Sequence, residues 1–395
     1  MASKVVRDPI HGNIGLDGFF TGLVDTGLMQ RLRNVKQNGL CYLVYPAMNS
    51  TRFEHSLGVY HLAGHLSDRI GLSEQDSITF KAASLLHDVG HGPFSHTFDV
   101  MGCYGFDHEK ESRRIVLESE VSDVLREGGV KPSDVAELIA GKGRLGGLLS
   151  SEVDVDKMDY LVRDAYYAGV AYGVTDVERM LQSVRLEKGS VVVEEGGLEA
   201  AESLLINRNL MYQTVYRHHT KRIAESMMTH ALLKLADTRD KAFQLAALDD
   251  IGLMAMMRSS KGYVRDITSR LDGRRLFKDV FSEKIVSLTG ESRKELSENS
   301  RAVESTIAGD HGVKEGYLLL DYPEIRMSEF KVKVKTGEGL KDIGEVSVLA
   351  KSLEESEREK LTVNIYSLPE DRDKMKGFKP EDYFTYTQKR LTEWD

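Results

Sequence analysis

Cysteine is scarce in this 395-residue chain, which carries only Cys41 and Cys103 and no C-x-x-C spacing. That excludes a disulfide framework and a thiolate-held zinc, and it fits a reducing compartment. Proline is also rare, with seven in the whole chain, so long stretches are open to uninterrupted helices. No run approaches the roughly 18 consecutive apolar residues that cross a bilayer. Met1 to Pro9 carries Lys4, Arg7 and Asp8 and lacks the apolar core of a secretory signal. A soluble, cytoplasmic protein with no membrane contact is expected. An excess of positive charge is missing too: the formal net charge is -9, so indiscriminate adhesion to nucleic acid is not expected. A polyanionic substrate would have to meet a local basic pocket. What is present is an ordinary globular composition, 41% hydrophobic and 29% charged, which argues against disorder.

The chain reads as mainly α-helical. Thr51-Arg52-Phe53-Glu54 forms a capping-box sequence that opens a helix running to about Gly71. A second helix is expected from Ser77 through Ala82, Ala83, Leu85 and Leu86, stopping near Gly90-His91-Gly92, with Pro93 starting another helical turn. Further helices are expected over 108–127, 153–168, 175–183 and 198–236, and a β-hairpin over Val184 to Glu195 around Lys188-Gly189. After residue 310 the texture changes: Tyr317 to Leu320, Phe330 to Val334 and Leu361 to Tyr366 read as strands, with a helix near 345–358. This predicts a domain over 1–310 and a small α+β lobe over 311–395.

The sharpest local signal is His87-Asp88-Val89-Gly90-His91-Gly92-Pro93-Phe94-Ser95-His96. A catalytic divalent ion takes neutral imidazole and carboxylate ligands with a position left open for water. His87 and Asp88 are adjacent at a helix end, where one ion can be reached from their common edge. His55 sits in the first turn of its own helix, where the dipole disfavours the imidazolium. A fourth carboxylate lies in Asp154-Val155-Asp156-Lys157-Met158-Asp159-Tyr160. Asp156, Tyr160 and Arg163 share a helical face by i, i+4, i+7 spacing, flanked by Lys157 and Asp164. A carboxylate beside lysine and arginine suits a metal and a phosphate together. A bare His-Asp pair is common and more often structural than metal-binding; the ordered set of three segments carries the specificity.

Those segments, Arg52-Phe53-Glu54-His55-Ser56-Leu57-Gly58-Val59, then 87–96, then 154–160, resemble the HD-domain phosphohydrolases. Within them they are most similar to the branch of the SAM-and-HD-domain deoxynucleoside triphosphate triphosphohydrolases, here without a SAM domain. The likeness begins at Asp8-Pro9-Ile10-His11-Gly12. It implies an HD-domain helical fold and His55, His87, Asp88 and Asp156 as ligands of a divalent metal ion. It places His91, His96 and His108 at the reacting phosphate, with Asp99 beside His96. It also implies phosphate contacts from Arg52, Lys157 and Arg208, and substrate contacts from Gln37, Tyr160, Asp164 and Tyr216. The i, i+3 spacing of His96 and Asp99 suits a carboxylate-oriented imidazole, a competent general acid near neutral pH.

The resemblance implies hydrolysis of a dNTP to deoxynucleoside and inorganic triphosphate. The alternatives are another HD-type phosphomonoesterase, phosphodiesterase or nuclease reaction, or a non-catalytic nucleotide sensor. Ligands of this kind suit Fe, Mn, Zn, Ni or Mg. Asp25, Gln30 and Arg33 match positions at which regulated members bind an activating guanine nucleotide, with Arg7 and Asn13 departing from that pattern; Arg31 and Arg33 as surface ion pairs is the plainer reading. A homo-oligomer, dimer or tetramer, is implied. Asn38 and Arg217 depart from the leucine and glutamine that border the sugar and base in those members. His61 and His65 fall on another helical face than His55 and read as structural or solvent-facing. The basic run Arg217 to Arg222 reads either as a solvated helix face or as one of which part faces the triphosphate or a nucleotide at a subunit interface. Met254 to Met257 reads as core filling.

Overall fold

The computed structural model describes residues 3–172, 175–187, 189–323 and 332–387. Helix Arg52–Ile70 begins as its sequence dictates. The Glu54 N–H donates to the Thr51 hydroxyl, and the Thr51 N–H donates to the Glu54 carboxylate at 2.7 Å. Gly71, in the left-handed region at φ +66°, ends it. Helix Glu74–Leu86, capped by Ser73, and helix Val155–Ala168, capped by Asp154, both pack on it. Ser73 moves the start of the second helix ahead of Ser77, because the cap lies in the polar turn before the apolar pattern. Helices Arg52–Ile70 and Val155–Ala168 carry His55 and Asp156, and His87 and Asp88 follow directly on helix Glu74–Leu86.

Three helical expectations are corrected. Pro93 opens no helix: Phe94 and Ser95 both have positive φ, +58° and +53°, and the next helical turns are the 3-10 stretch Ser95–Tyr104. The 108–127 segment breaks at Ser119, which ends helix His108–Glu118 and caps Glu120–Glu127. The 198–236 segment breaks as well. Helix Leu198–Met211 passes through a π-turn at Tyr212–Tyr216, and helix His219–Leu235 restarts with His218 as its cap. Helices Asp250–Ser259, Gly262–Asp272 and Gly290–Asp310 and the N-terminal hairpin of Lys4–Asp8 with Gly12–Leu16 were not predicted.

The strands join distant stretches. Hairpin Val184–Glu187 with Ser190–Glu194 continues into Lys333–Thr336, paired parallel, and then Gly339–Asp342. Lys188 of the expected turn, and Phe330 and Lys331 of the expected strand, lie outside the described residues. Strand Thr362–Ser367 lies between Lys278–Lys284 and Leu318–Asp321. The α+β elements after residue 310 therefore share both sheets with earlier segments, and helix Val348–Glu359 packs on Leu198–Met211.

Two apolar cores result. One gathers most buried apolar residues between 14 and 215 with part of 332–350, and the other gathers residues from 223 to 384 together with Leu40, Phe94, Phe98, Met101 and Phe106. Met254 and Met257 fill the second, as read from their sequence. Phe94, Phe98 and Met101, just after the histidine-rich run, are buried in that second core. Each such burial contributes on the order of 1.5–3 kcal/mol, against roughly 1–2 kcal/mol for each left-handed non-glycine residue. The anchors therefore offset the strain at Phe94 and Ser95, and the site loop is held where the two cores meet.

Candidate active site

His55, His87, Asp88 and Asp156 converge. His55 Nε2 lies 2.9 Å from Asp156 Oδ1 and 3.5 Å from Asp88 Oδ2; His87 Nε2 lies 3.7 and 3.4 Å from the same atoms. Both rings spend Nδ1 elsewhere, His55 donating to Asp159 at 2.8 Å and His87 to the Ser84 carbonyl at 2.8 Å. Those bonds fix the tautomer, so each Nε2 presents a lone pair; both Nε2 atoms are buried without a hydrogen-bond partner. Two lone pairs and two carboxylates aimed at one point repel unless a cation sits among them. The residues present fit a divalent ion.

The carboxylates call for positive charge at this point, which a proton on the rings or a cation displacing it would supply. Burial would lower the His55 pKa, but Asp156 and Asp159 outweigh it and push it up to about 10. Burial would raise Asp88; Arg52, with His87 and His91, holds it well below the carboxylate range. Arg52 donates to Asp88 at 2.6 Å and to Ser95 Oγ at 2.9 Å, leaving its Nη2 buried and unpartnered.

Beside this cluster, one carboxylate serves two histidines. Asp99 accepts from His96 Nδ1 and from His108 Nδ1, each at 3.0 Å. The His96 side chain is 62% exposed, whereas His91 is buried, stacked 4.0 Å from His108 and 3.2 Å from Asp88. Burial, with Arg52 and His108, lowers His91 well below the usual histidine value, so it is neutral at pH 7. His96 is lowered too, by the protein around it and against the pull of Asp99.

The other expected residues line the same region. Lys157 donates to Asp154 at 3.1 Å, and Arg208 pairs with Glu152. Tyr160 lies 6.4 Å from His55 and 6.3 Å from Tyr216, ring to ring; Tyr212 adjoins Tyr216 and lies under Arg208 and Arg217. Asp164 accepts from Tyr216 and from Asn38, both at 2.8 Å, and burial raises it to about 6. Gln37 Oε1 is buried without a partner. Arg163 is not on the phosphate side: wholly buried, it is clamped by Asp159 and Asp8.

Within the basic run His219 is exposed, and the three cations have carboxylate partners. Arg217 pairs with Glu357, Lys221 with Glu225 and Arg222 with Asp321. Asp25 pairs with Lys4, Gln30 accepts from Arg33, and the Arg33 guanidinium lies 3.7 Å over Phe53. Arg31 forms no surface ion pair in its observed contacts: it donates to the carbonyls of Val89, His91, Ala246 and Leu248. His65 is exposed, and His61 packs beside His11.

The residue missed by sequence reasoning is Asp159. It accepts from His55, from His11 at 2.6 Å and from Arg163, and it is fully buried. Gly58 makes room, since a Cβ there would overlap the Asp159 carboxylate. The i, i+4 pair Asp159–Arg163 and the glycine one turn after His55 were the available signals.

A family model described as the HD domain matches residues 52–164, and one described as the HD associated region matches 175–393. The chain is 35% identical to the uncharacterized protein MJ1154 of Methanocaldococcus jannaschii, over 99% of this chain and 84% of that one. It is 31% identical to the human deoxynucleoside triphosphate triphosphohydrolase SAMHD1 over 59% of this chain and 45% of that one, so it spans under half of the human protein. The solved structure of a hypothetical protein from Aquifex aeolicus matches with a TM-score of 0.79 at 31% identity, covering 95% of this chain and 100% of that one. The ligand cluster and both Asp99-held histidines fall within the first matched region, and Arg208 and Tyr216 within the second. The chain therefore belongs to the HD-domain phosphohydrolases, on the branch they share with the deoxynucleoside triphosphate triphosphohydrolases.

Proposed function

We propose that the protein hydrolyses a deoxynucleoside triphosphate to deoxynucleoside and inorganic triphosphate. The observation that carries the reading is the Asp99 carboxylate holding His96 and His108 beside the His55, His87, Asp88 and Asp156 cluster. A divalent cation held by those four residues would lower the pKa of a water and polarise a phosphoryl oxygen. Arg52 keeps a spare buried N–H for the phosphate, and burial of Lys157 is outweighed by Asp154 and Asp156, so it stays charged. Cleavage next to the α-phosphorus expels a 5′ alkoxide, a poor leaving group that needs a proton as the bond breaks. His96 is exposed to receive substrate; with its Nδ1–H tied to Asp99, which favours the imidazolium, it would deliver that proton from Nε2–H and be left as the neutral Nδ1–H tautomer. Tyr160 and Tyr216 supply aromatic surface for sugar or base, with Asn38 and Asp164 as the polar edge.

A homo-oligomer with an activating guanine nucleotide at Asp25, Gln30 and Arg33 belongs to the same proposal. It draws support from Arg33 resting on Phe53, the neighbour of Arg52. The test is a screen of all dNTPs and NTPs with Mn, Fe, Zn, Ni or Mg, with and without GTP, resolving products by ion exchange. Triphosphate as the product is expected. Orthophosphate would replace the reading with a phosphomonoesterase, and no turnover under any condition with a nucleotide sensor.

A further inference from the structure

The loop from His87 to His96 carries two of the four cluster residues and two of the reacting-phosphate histidines, yet it is not held by its own helices alone. Beyond it, at the start of helix Asp250–Ser259 in the HD associated region, the Asp250 carboxylate is nearly wholly buried. One of its oxygens accepts the Phe94 N–H at 2.6 Å and the other the Lys36 N–H at 3.0 Å. Phe94 and Ser95 are the two consecutive left-handed residues of the loop, a pairing of conformations that persists only when its surroundings over-determine it. The Ser95 hydroxyl donates to the Lys36 carbonyl at 2.6 Å and accepts from Arg52 Nε at 2.9 Å; Arg52 in turn donates to Asp88. Asp250 therefore ties both ends of one short bridge, Lys36 and Phe94, and everything hung on Ser95 follows.

From this juxtaposition we infer that Asp250 is a positioning residue for the hydrolysis: it fixes the Phe94–Ser95 turn, and through it the direction of the Arg52 guanidinium and of the His96 ring. The inference rests on reading this centre as the phosphohydrolase site. Asp250 touches neither cluster residues nor the Asp99-held histidines, so it acts on rate through geometry. In the Asp250→Ala variant the two N–H groups lose their acceptor, and the turn relaxes toward ordinary φ values. A displacement of about 1 Å at the reacting centre costs about 100-fold in rate, so the expected loss in kcat is about 10–100-fold.

The experiment compares wild type, Asp250→Ala and Asp250→Asn. It measures bound metal per folded chain, thermal unfolding, and kcat and KM per metal-loaded chain. The substrates are dNTPs and, in parallel, bis(p-nitrophenyl) phosphate. The expected result is retained metal with KM within about 3-fold of wild type and kcat reduced as above. The Asn variant should recover part of kcat, because its amide oxygen still accepts one of the two N–H groups. If kcat per metal-loaded chain is unchanged while only the melting temperature falls, Asp250 is merely structural and the inference is overturned. Should Asp250→Ala fail to fold, the Asn variant decides by the same ratio. A wild type that cleaves only the chromogenic diester would overturn the proposed substrate, and the positioning role is then read on that diester.

Discussion

Replacing Asp159 by asparagine strikes the support under His55 without touching any of the four converging residues. Two losses follow from the geometry. Arg163 is wholly buried with Asp159 and Asp8 as its carboxylate partners, and breaking a buried ion pair from one side costs roughly 3–5 kcal/mol. His55 Nδ1 loses a charged acceptor for a neutral one, and changes of that kind behind a metal-bound histidine lower metal affinity about 10–100-fold. The stability loss should depend on pH in a stated sense. Burial would raise the Asp159 pKa, but Arg163 and hydrogen bonds from His11 and His55 hold it well below the ordinary range. A depressed folded-state pKa contributes stability above the unfolded value, about 3.9, and that contribution is lost as pH falls through the folded value. The gap between wild type and variant should be full at pH 7 and narrow only in strong acid. Thermal unfolding across pH and competition against a chelator measure the two effects. A variant with wild-type metal affinity and an unchanged melting temperature at pH 7 would refute the reasoning, leaving Asp159 a bystander.

Three further outcomes are expected. His96→Ala should keep its metal and lose about 10²–10⁴-fold in kcat, and Asp99→Asn should fall in the same range, because that carboxylate holds His108 as well as His96; near-normal single-turnover rates in either would move the proton to another group. Asp164→Asn should raise the melting temperature at pH 7 while lowering turnover. Burial raises its carboxyl to about 6, so the ionised form destabilises the fold above that pH, by on the order of 3 kcal/mol, and the gain should vanish below about pH 4, where both states are protonated; an equal gain at pH 3.5 would argue against it. Light scattering should show a homo-oligomer at micromolar concentration, strengthened by GTP or dGTP, and a strict monomer in all conditions would remove the assembly proposal.

Features written in neighbouring residues were legible. Thr51 and Glu54 announced their capping box, His87-Asp88 its helix end, and Asp154 to Tyr160 the opposing helix, so the cluster could be assembled from three short segments. Supports made across the chain were not. Asp159 meets His11 148 positions away, and Asp250 meets Phe94 156 positions away; neither contact has a period or a spacing that marks it. The Pro93 expectation failed for a related reason. A proline commonly opens a helix, but here burial of Phe94 and Phe98 in the second core and the grip of Asp250 select two left-handed residues instead. The π-turn at Tyr212–Tyr216 interrupts an apolar pattern that continues unbroken on both sides, so periodicity alone carried the helix through it.

The expectation that a polyanionic substrate needs a basic pocket takes a different form in the structure. Among the described residues these cations of the site have carboxylate partners: Arg52 with Asp88, Lys157 with Asp154, Arg208 with Glu152, and Arg163 with Asp159 and Asp8. Asp156 and Asp99 pair with imidazoles. The pocket by itself is therefore not basic, which accords with the net charge of -9 over the chain. On the proposed reading, attraction for a triphosphate would come from a divalent ion among the four converging side chains, from the spare Arg52 N–H, and from donors freed where the phosphate competes with a carboxylate, as at Arg208. The Arg208–Glu152 pair is partly exposed, whereas the Lys157–Asp154 pair has its carboxylate wholly buried and Arg163 is sealed beneath the His/Asp cluster. Exchange is cheap where solvent screens the pair and costly where it does not. This separates Arg208, which can turn to a substrate, from Arg163, which only holds the frame.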